Sequence, residues 1–166
     1  MADRKTIEES LQECDVLLPR KRKYYIETNY KHYIHAHVRE PLDKTRGIIK
    51  KNYVTYLPYF DRVMKKRSAH MFNMFIMKKP EFSDYCNWIF GVLSKLEKEI
   101  DISNYSSQEA RAFGYIAELL MDVWIEKNNI YYREVRWKQL GPNHKIKKAL
   151  FFLGRKFKIG PKKTHF

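Results

Sequence analysis

RSAHMFNMFIMKK, residues 67–79, runs directly into PEFSDYCNWIFGVLSKLEKEI. The Met, Phe and Ile run over residues 71–77 predicts a strand buried on both faces. The segment that follows predicts a long amphipathic helix. Pro80 suits its first turn. Phe82, Tyr85, Cys86, Ile89, Phe90, Leu93 and Leu96 make one stripe at spacings of three and four. A strand feeding such a helix points to an α/β chain. Two polar residues interrupt the strand, His70 at its start and Asn73 inside it. A buried polar group left unpaired costs about 1–3 kcal/mol. The strand must therefore feed a polar internal network or line a site. On a regular strand His70 and Asn73 point to opposite faces, so a shared ligand would need a bulge.

Working outward, a short helix over residues 5–13 leads into CDVLLP, residues 14–19, a short strand ended by proline. Residues 20–23 read as a basic turn. Ile26, Tyr30, Tyr33, Ile34 and His37 recur at helical spacing. A further helix starts at Pro41 with Leu42, Ile48 and Ile49 on its apolar side, and residues 56–66 form another. Downstream, Ser106 and Glu109 match a capping box for a helix over residues 107–128. Ala110, Phe113, Gly114, Ala117, Leu120, Met121 and Trp124 make its apolar face, and Asn128–Asn129 end it. Residues 130–137 are aromatic and β-branched enough for a last strand.

The chain has 166 residues, 44% hydrophobic and 15% aromatic, which fits one folded core. Its net charge of +14 implies anionic partners. Cys14 and Cys86 lie far apart, and Cys86 sits on a helix's apolar face, so it reads as a small core residue and not half of a disulfide, in a reduced, cytosolic setting. The N-terminus lacks the apolar core of a signal peptide, and no stretch reaches the roughly 20 apolar residues of a spanning helix. Residues 144–163 hold eight Lys or Arg and no acid. Ile146, Ala149, Leu150, Leu153 and Phe157 share one helical face there. That is a basic amphipathic helix for an anionic membrane surface, or equally a terminal helix with a solvated basic side. Elsewhere the aromatics sit at core-periodic positions rather than among the basic residues, which disfavours specific nucleic-acid binding.

Glu118 is the carboxylate that stands out. Gly114, Met121 and Ile125 at offsets of −4, +3 and +7 put it on the border of the apolar face. Partial burial there raises a carboxyl pKa and suits it to proton transfer. Arg111 lies two turns earlier, so a plain Arg111–Glu118 salt bridge is the competing account. Asp122 follows one turn later. His32, His35 and His37 cluster without a carboxylate at ligand spacing within their helix, which makes zinc a poor fit. No P-loop, G-x-G-x-x-G, G-x-S-x-G, C-x-x-C or D-x-D occurs.

The segments DVLLPRKRKYYIETNYKHYIHAH, YLPYFDRVMKKRSAHMFNMFIMKKPEFSDYCNWIFGVLSKLEKEIDIS and ARAFGYIAELLMDVWIEKNNIYYREV resemble a bacterial family of uncharacterised domains linked to capsular or exopolysaccharide glycosyltransferases. The resemblance implies a partial, Rossmann-like glycosyltransferase A fold: helix-rich α/β, with a few short strands packed by amphipathic helices. It implies sugar transfer from a nucleotide-sugar donor to a glycan or lipid-linked acceptor, at the cytoplasmic side and peripheral to the inner face of the membrane. Glu118 would be the catalytic base. His70, Asn73 and Arg111 would contact substrate, and His144 and Lys147 would grip the donor diphosphate. The family's upstream nucleotide-binding half is expected to be missing, leaving residues 1–143 as the C-terminal portion and 144–166 as the basic tail. No cofactor is then expected within this chain, and no metal ligands. The donor, with any divalent metal, belongs to the full-length family. A separate chain could supply that half. The alternative is a non-catalytic remnant that binds acceptor or membrane.

Overall fold

The computed structural model describes residues 4–136. The predicted tail over residues 144–166, with His144 and Lys147, lies outside the described residues. Six α-helices, two 3-10 turns and five short strands make up the described chain, without regular alternation. Helix α1, Arg4–Glu13, precedes β1, Val16–Pro19, whose four residues are all buried. β1 is the centre of a three-stranded sheet. It pairs antiparallel with β4, Ile76–Met77, and parallel with β5, Tyr132–Val135. Asp15 holds the entry to this sheet. Its carbonyl accepts from Lys78 N–H, its N–H donates to Tyr131 O at 2.7 Å, and its carboxylate pairs with Lys78 Nζ at 2.9 Å. The Lys78 bond outweighs partial burial, so the Asp15 carboxyl is held below its ordinary pKa.

A two-stranded ribbon joins β2, Arg22–Lys23, to β3, Ser68–Ala69. The basic turn expected over residues 20–23 is therefore partly a strand. Composition could not show this, because a two-residue strand exists only through its partner. Helix α2, Asn29–Ala36, starts at Thr28, whose hydroxyl accepts from Lys31 N–H at 3.2 Å. Ile26 falls before that helix and is exposed, contrary to its expected place on the stripe. Buried Asn29 ties three elements together. Its amide donates to Val63 O at 2.8 Å and Ser68 O at 3.0 Å.

Helices α3, Glu40–Asn52, and α4, Leu57–Lys65, each carry proline in the first turn, as Pro80 does in α5, Lys79–Glu97. The α5 stripe is shifted from its expected position. Tyr85, Trp88, Ile89, Val92 and Leu96 are buried, while Phe82 and Phe90 are exposed and Cys86 is only half-buried. Cys14 and Cys86 are both free. The Ser106–Glu109 capping box forms: Ser106 Oγ donates to the Glu109 carboxylate at 2.7 Å, and Glu109 N–H returns to Ser106 Oγ. It caps a single 3-10 turn, Glu109–Arg111. Helix α6 proper is Ala112–Asn128, later than the start expected at residue 107. Asn129 ends α6 in the left-handed region at φ 52°, and Ile130 N–H closes back on Ile125 O.

Helix α6 is the axis of the core. Every residue from Leu119 to Ile125 is buried, including Asp122. A helix buried all round must be packed on several sides, and α3, α4 and α5 all pack on it. The expected α/β, helix-rich class holds.

The stretch over residues 71–77 does not form the expected doubly buried strand. Only Ile76–Met77 is a strand, and Phe72, Met74 and Ile76 are exposed by 40–45%. The chain breaks at Phe72 and Asn73, which have φ of 91° and 47°. Asparagine tolerates the left-handed region; a bulky aromatic residue does not. The strain at Phe72 costs about 1–3 kcal/mol and must be offset by the bonds the loop makes.

Candidate active site

Those bonds all go to one face of α6. His70 N–H donates to Asp122 Oδ2 at 3.0 Å, and its ring Nδ1 lies 2.6 Å from Asp122 Oδ1. Phe72 N–H donates to the Glu118 carboxylate. Asn73 Nδ2 donates to Gly114 O at 3.0 Å. Gly114, Glu118 and Asp122 are four residues apart, so they stack along one side of the helix. The loop over residues 70–73 thus runs antiparallel to α6, laced to it at three successive turns. His70 and Asn73, placed on opposite faces of a strand by the sequence reading, meet the same helix because the backbone turns between them.

Asp122 anchors a buried charge network. Lys21 Nζ lies 3.6 Å from Asp122 Oδ1 and donates to Tyr132 Oη at 3.3 Å. His70 Nε2 sits 3.3 Å from Glu134 Oε1 but outside hydrogen-bond geometry. Burial alone would raise the Asp122 carboxyl. The His70 bonds and the Lys21 charge outweigh it and hold its pKa below the ordinary value. His70 is therefore an internal strut, 2% exposed at its side chain, and not a group that meets substrate directly.

Glu118 differs from Asp122 in the respect that matters for chemistry. Among the described residues it makes no ion pair. Desolvation raises its pKa, and this outweighs the Phe72 N–H bond and the fields of Arg111 and Arg22. The simple Arg111–Glu118 salt bridge does not form. Arg111 instead lies over the Tyr115 ring, 5.6 Å from its centroid.

Glu118 and Arg111 share a cavity of about 290 Å³ with Arg22, Tyr24, His32, Tyr33, His37, Phe72 and Tyr115. Its walls are stacked rings: His37 on Tyr115 and His32 on Tyr24, both with centroids 3.9 Å apart. Burial pushes Tyr24 up to about 12 and raises Tyr33 further, so both stay protonated at neutral pH. Their hydroxyls are buried with no hydrogen-bond partner among the described residues. Beneath the rings, buried Glu27 bonds His35 Nδ1 at 2.8 Å and His32 Nδ1 at 3.2 Å. Burial opposes its charge, yet the two histidines hold its pKa below the ordinary value. The histidine cluster thus has a carboxylate, supplied from just before the helix. Among the described residues no group of three or more His, Cys, Asp or Glu could hold a metal ion.

Of the expected site residues, Glu118 and Arg111 come together in the cavity. Asn73 and His70 flank it and fix the loop that closes one side. Tyr24, Tyr33, His37, Tyr115 and Arg22 were not singled out as site residues. Their helical spacing marked Tyr33 and His37 only as core, and nothing local marks Arg22.

The family described as Domain of unknown function (DUF4422) matches residues 1–129. The chain belongs to that family. No curated protein matches it. Among solved structures, the WbbM bifunctional glycosyltransferase in its apo form is similar, with a TM-score of 0.73 and 28% identity. That match covers 85% of this chain and 28% of the WbbM chain, so the chain spans well under half of its structural relative. The fold is thus that of a glycosyltransferase-like domain, with a small mixed sheet set among helices.

Proposed function

We propose that the chain acts in glycosyl transfer, with the aromatic cavity holding a sugar acceptor and Glu118 as the general base. The observation that carries this reading is a desolvated carboxylate, free of ion pairs among the described residues, at the wall of a sugar-sized cavity in a glycosyltransferase-like fold. In the proposed step an acceptor hydroxyl oxygen attacks the anomeric carbon of a nucleotide-sugar. The bond from that carbon to the leaving phosphate breaks, and Glu118 takes the hydroxyl proton. A raised pKa brings the carboxylate's proton affinity closer to operating pH, where general-base catalysis is most efficient. The Phe72 N–H, fixed by the His70 and Asn73 bonds, orients the carboxylate. An acceptor drawn from capsular or exopolysaccharide synthesis is part of this proposal and is supported by the resemblance described above.

The test is release of nucleoside diphosphate from a panel of nucleotide-sugars with glycan acceptors. Glu118→Gln should lower turnover by roughly 10²–10⁴-fold, the usual worth of a general base, while acceptor binding persists. Wild-type turnover in the Gln variant removes Glu118 from the mechanism. Glycan binding without turnover by the wild-type chain would favour a non-catalytic acceptor-binding module.

A further inference from the structure

Two arginines line the cavity, and neither pairs with a carboxylate among the described residues. Arg22 lies over the Tyr24 ring at 5.4 Å and Arg111 over the Tyr115 ring at 5.6 Å. A guanidinium parked on a ring keeps the edge of its fork free for a bidentate anion. Among the described lining residues one carboxylate, Glu118, faces these two guanidiniums, and the buried Glu27 behind the wall is already held by His32 and His35. The neighbouring ion pairs make the contrast clear. Arg39 and Arg46, outside the cavity, are matched with Asp43 and Asp61 at 2.7 and 2.8 Å. The volume sets a second limit. About 290 Å³ lies at the low end of pockets that hold small ligands and has room for one hexose-sized ring.

We infer that this cavity selects an acceptor hexose carrying an anionic substituent, a carboxylate or a phosphate, gripped by Arg22 and Arg111 while a hydroxyl of the same ring meets Glu118. The inference deepens the acceptor reading above and rests on it. Arginine forks match carboxylate and phosphate alike, so the substituent is left to the experiment.

The full chain, without donor, is titrated by calorimetry and saturation-transfer NMR with methyl glucuronoside, a hexose monophosphate, methyl glucoside and inorganic phosphate. At least one charged hexose should bind about tenfold tighter than methyl glucoside, the worth of one good charge-assisted contact. The tighter of the two identifies the substituent. Arg22→Gln and Arg111→Gln should each remove most of that preference; both positions are exposed, and thermal melts check their folding. Equal binding of charged and neutral hexoses overturns the inference. So does binding of none of them, inorganic phosphate binding as tightly as the charged hexoses, or a preference that survives the double variant. Transfer to neutral acceptors with no charge preference would sink the anion site alone. A charge preference with no transfer to any acceptor would sink the base role of Glu118 alone.

Discussion

Glu118 and Asp122 sit one turn apart on the same helix, yet their surroundings drive their pKa values in opposite directions. Among the described residues Glu118 is desolvated and bonded by the Phe72 amide, with Arg111 and Arg22 acting on it only through their fields, and its pKa is raised. Asp122 is more deeply buried but bonded to His70 and near Lys21, and its pKa is lowered. The consequences for stability have opposite signs. A raised folded pKa means that Glu118 favours the fold while it is protonated. That contribution is lost as pH rises from the ordinary glutamate range through its own higher value. Glu118→Gln should therefore melt above wild type at neutral pH, and the difference should close in acid; a variant melting below wild type at every pH contradicts this. Asn73 carries a second residue-scale expectation. Its amide reaches Gly114 O, and its φ of 47° is costly for other side chains. Asn73→Ala should lose about 1–2 kcal/mol in urea unfolding, and Asn73→Gly, which keeps the backbone freedom, should lose less. The border position of Glu118 was legible from helical spacing alone. The partners of Asp122 were not, because His70 is 52 residues away in sequence and nothing local links them.

At the scale of elements, the loop over residues 70–73 and helix α6 behave as one unit. Three rungs join them, and the Asp122 rung is doubled. An ionised carboxylate accepts at both oxygens, whereas an asparagine accepts at one and donates at the other. Asp122→Asn should therefore break one bond to His70 and strand Lys21, costing about 3 kcal/mol. Because the same loop presents the Phe72 amide to Glu118, the variant should also lower kcat more than it raises KM in the transfer assay. Normal kcat in a destabilised but folded Asp122→Asn variant would separate the clamp from the chemistry. Acid should weaken the wild type through this pair, since the stability from a lowered carboxyl pKa is present above the ordinary aspartate range and is lost as pH falls through the folded value. The existence of elements with a strong local pattern was readable in advance, though the face that α5 buries was not. The α5 and α6 helices, β1 and the Ser106–Glu109 box all follow from local pattern. The β2–β3 ribbon was not, because its strands are two residues long and their conformation is set by each other. The apolar run at residues 71–77 misled for a related reason. Composition says that it avoids water, but the turn at Phe72 and Asn73 is imposed by α6.

Across the whole molecule, the charge of +14 is large for 166 residues, and residues 144–163 supply eight positive charges and no negative one. Self-repulsion of that size should be relieved by screening, so the melting temperature should rise from low to physiological salt; a fall would mean that surface ion pairs outweigh repulsion. The membrane proposal for residues 144–163 makes its own prediction. The chain should sediment with anionic vesicles and not with neutral ones, and replacing Lys145, Lys148, Arg155 and Lys156 by glutamate should abolish it; equal recovery from both vesicle types ends that reading. No helix among the described residues is long and apolar enough to cross a membrane. By itself the sequence determined the helix-rich α/β class, the presence of each long helix and the border position of Glu118, because each depends on the period of a single element. Only the tertiary structure decided that Arg22, Tyr24, Tyr33, His37, Arg111 and Tyr115 surround that carboxylate, and that His70 is a strut and not a ligand. Those outcomes depend on contacts between segments distant in sequence, and such contacts leave no period in the chain to be read.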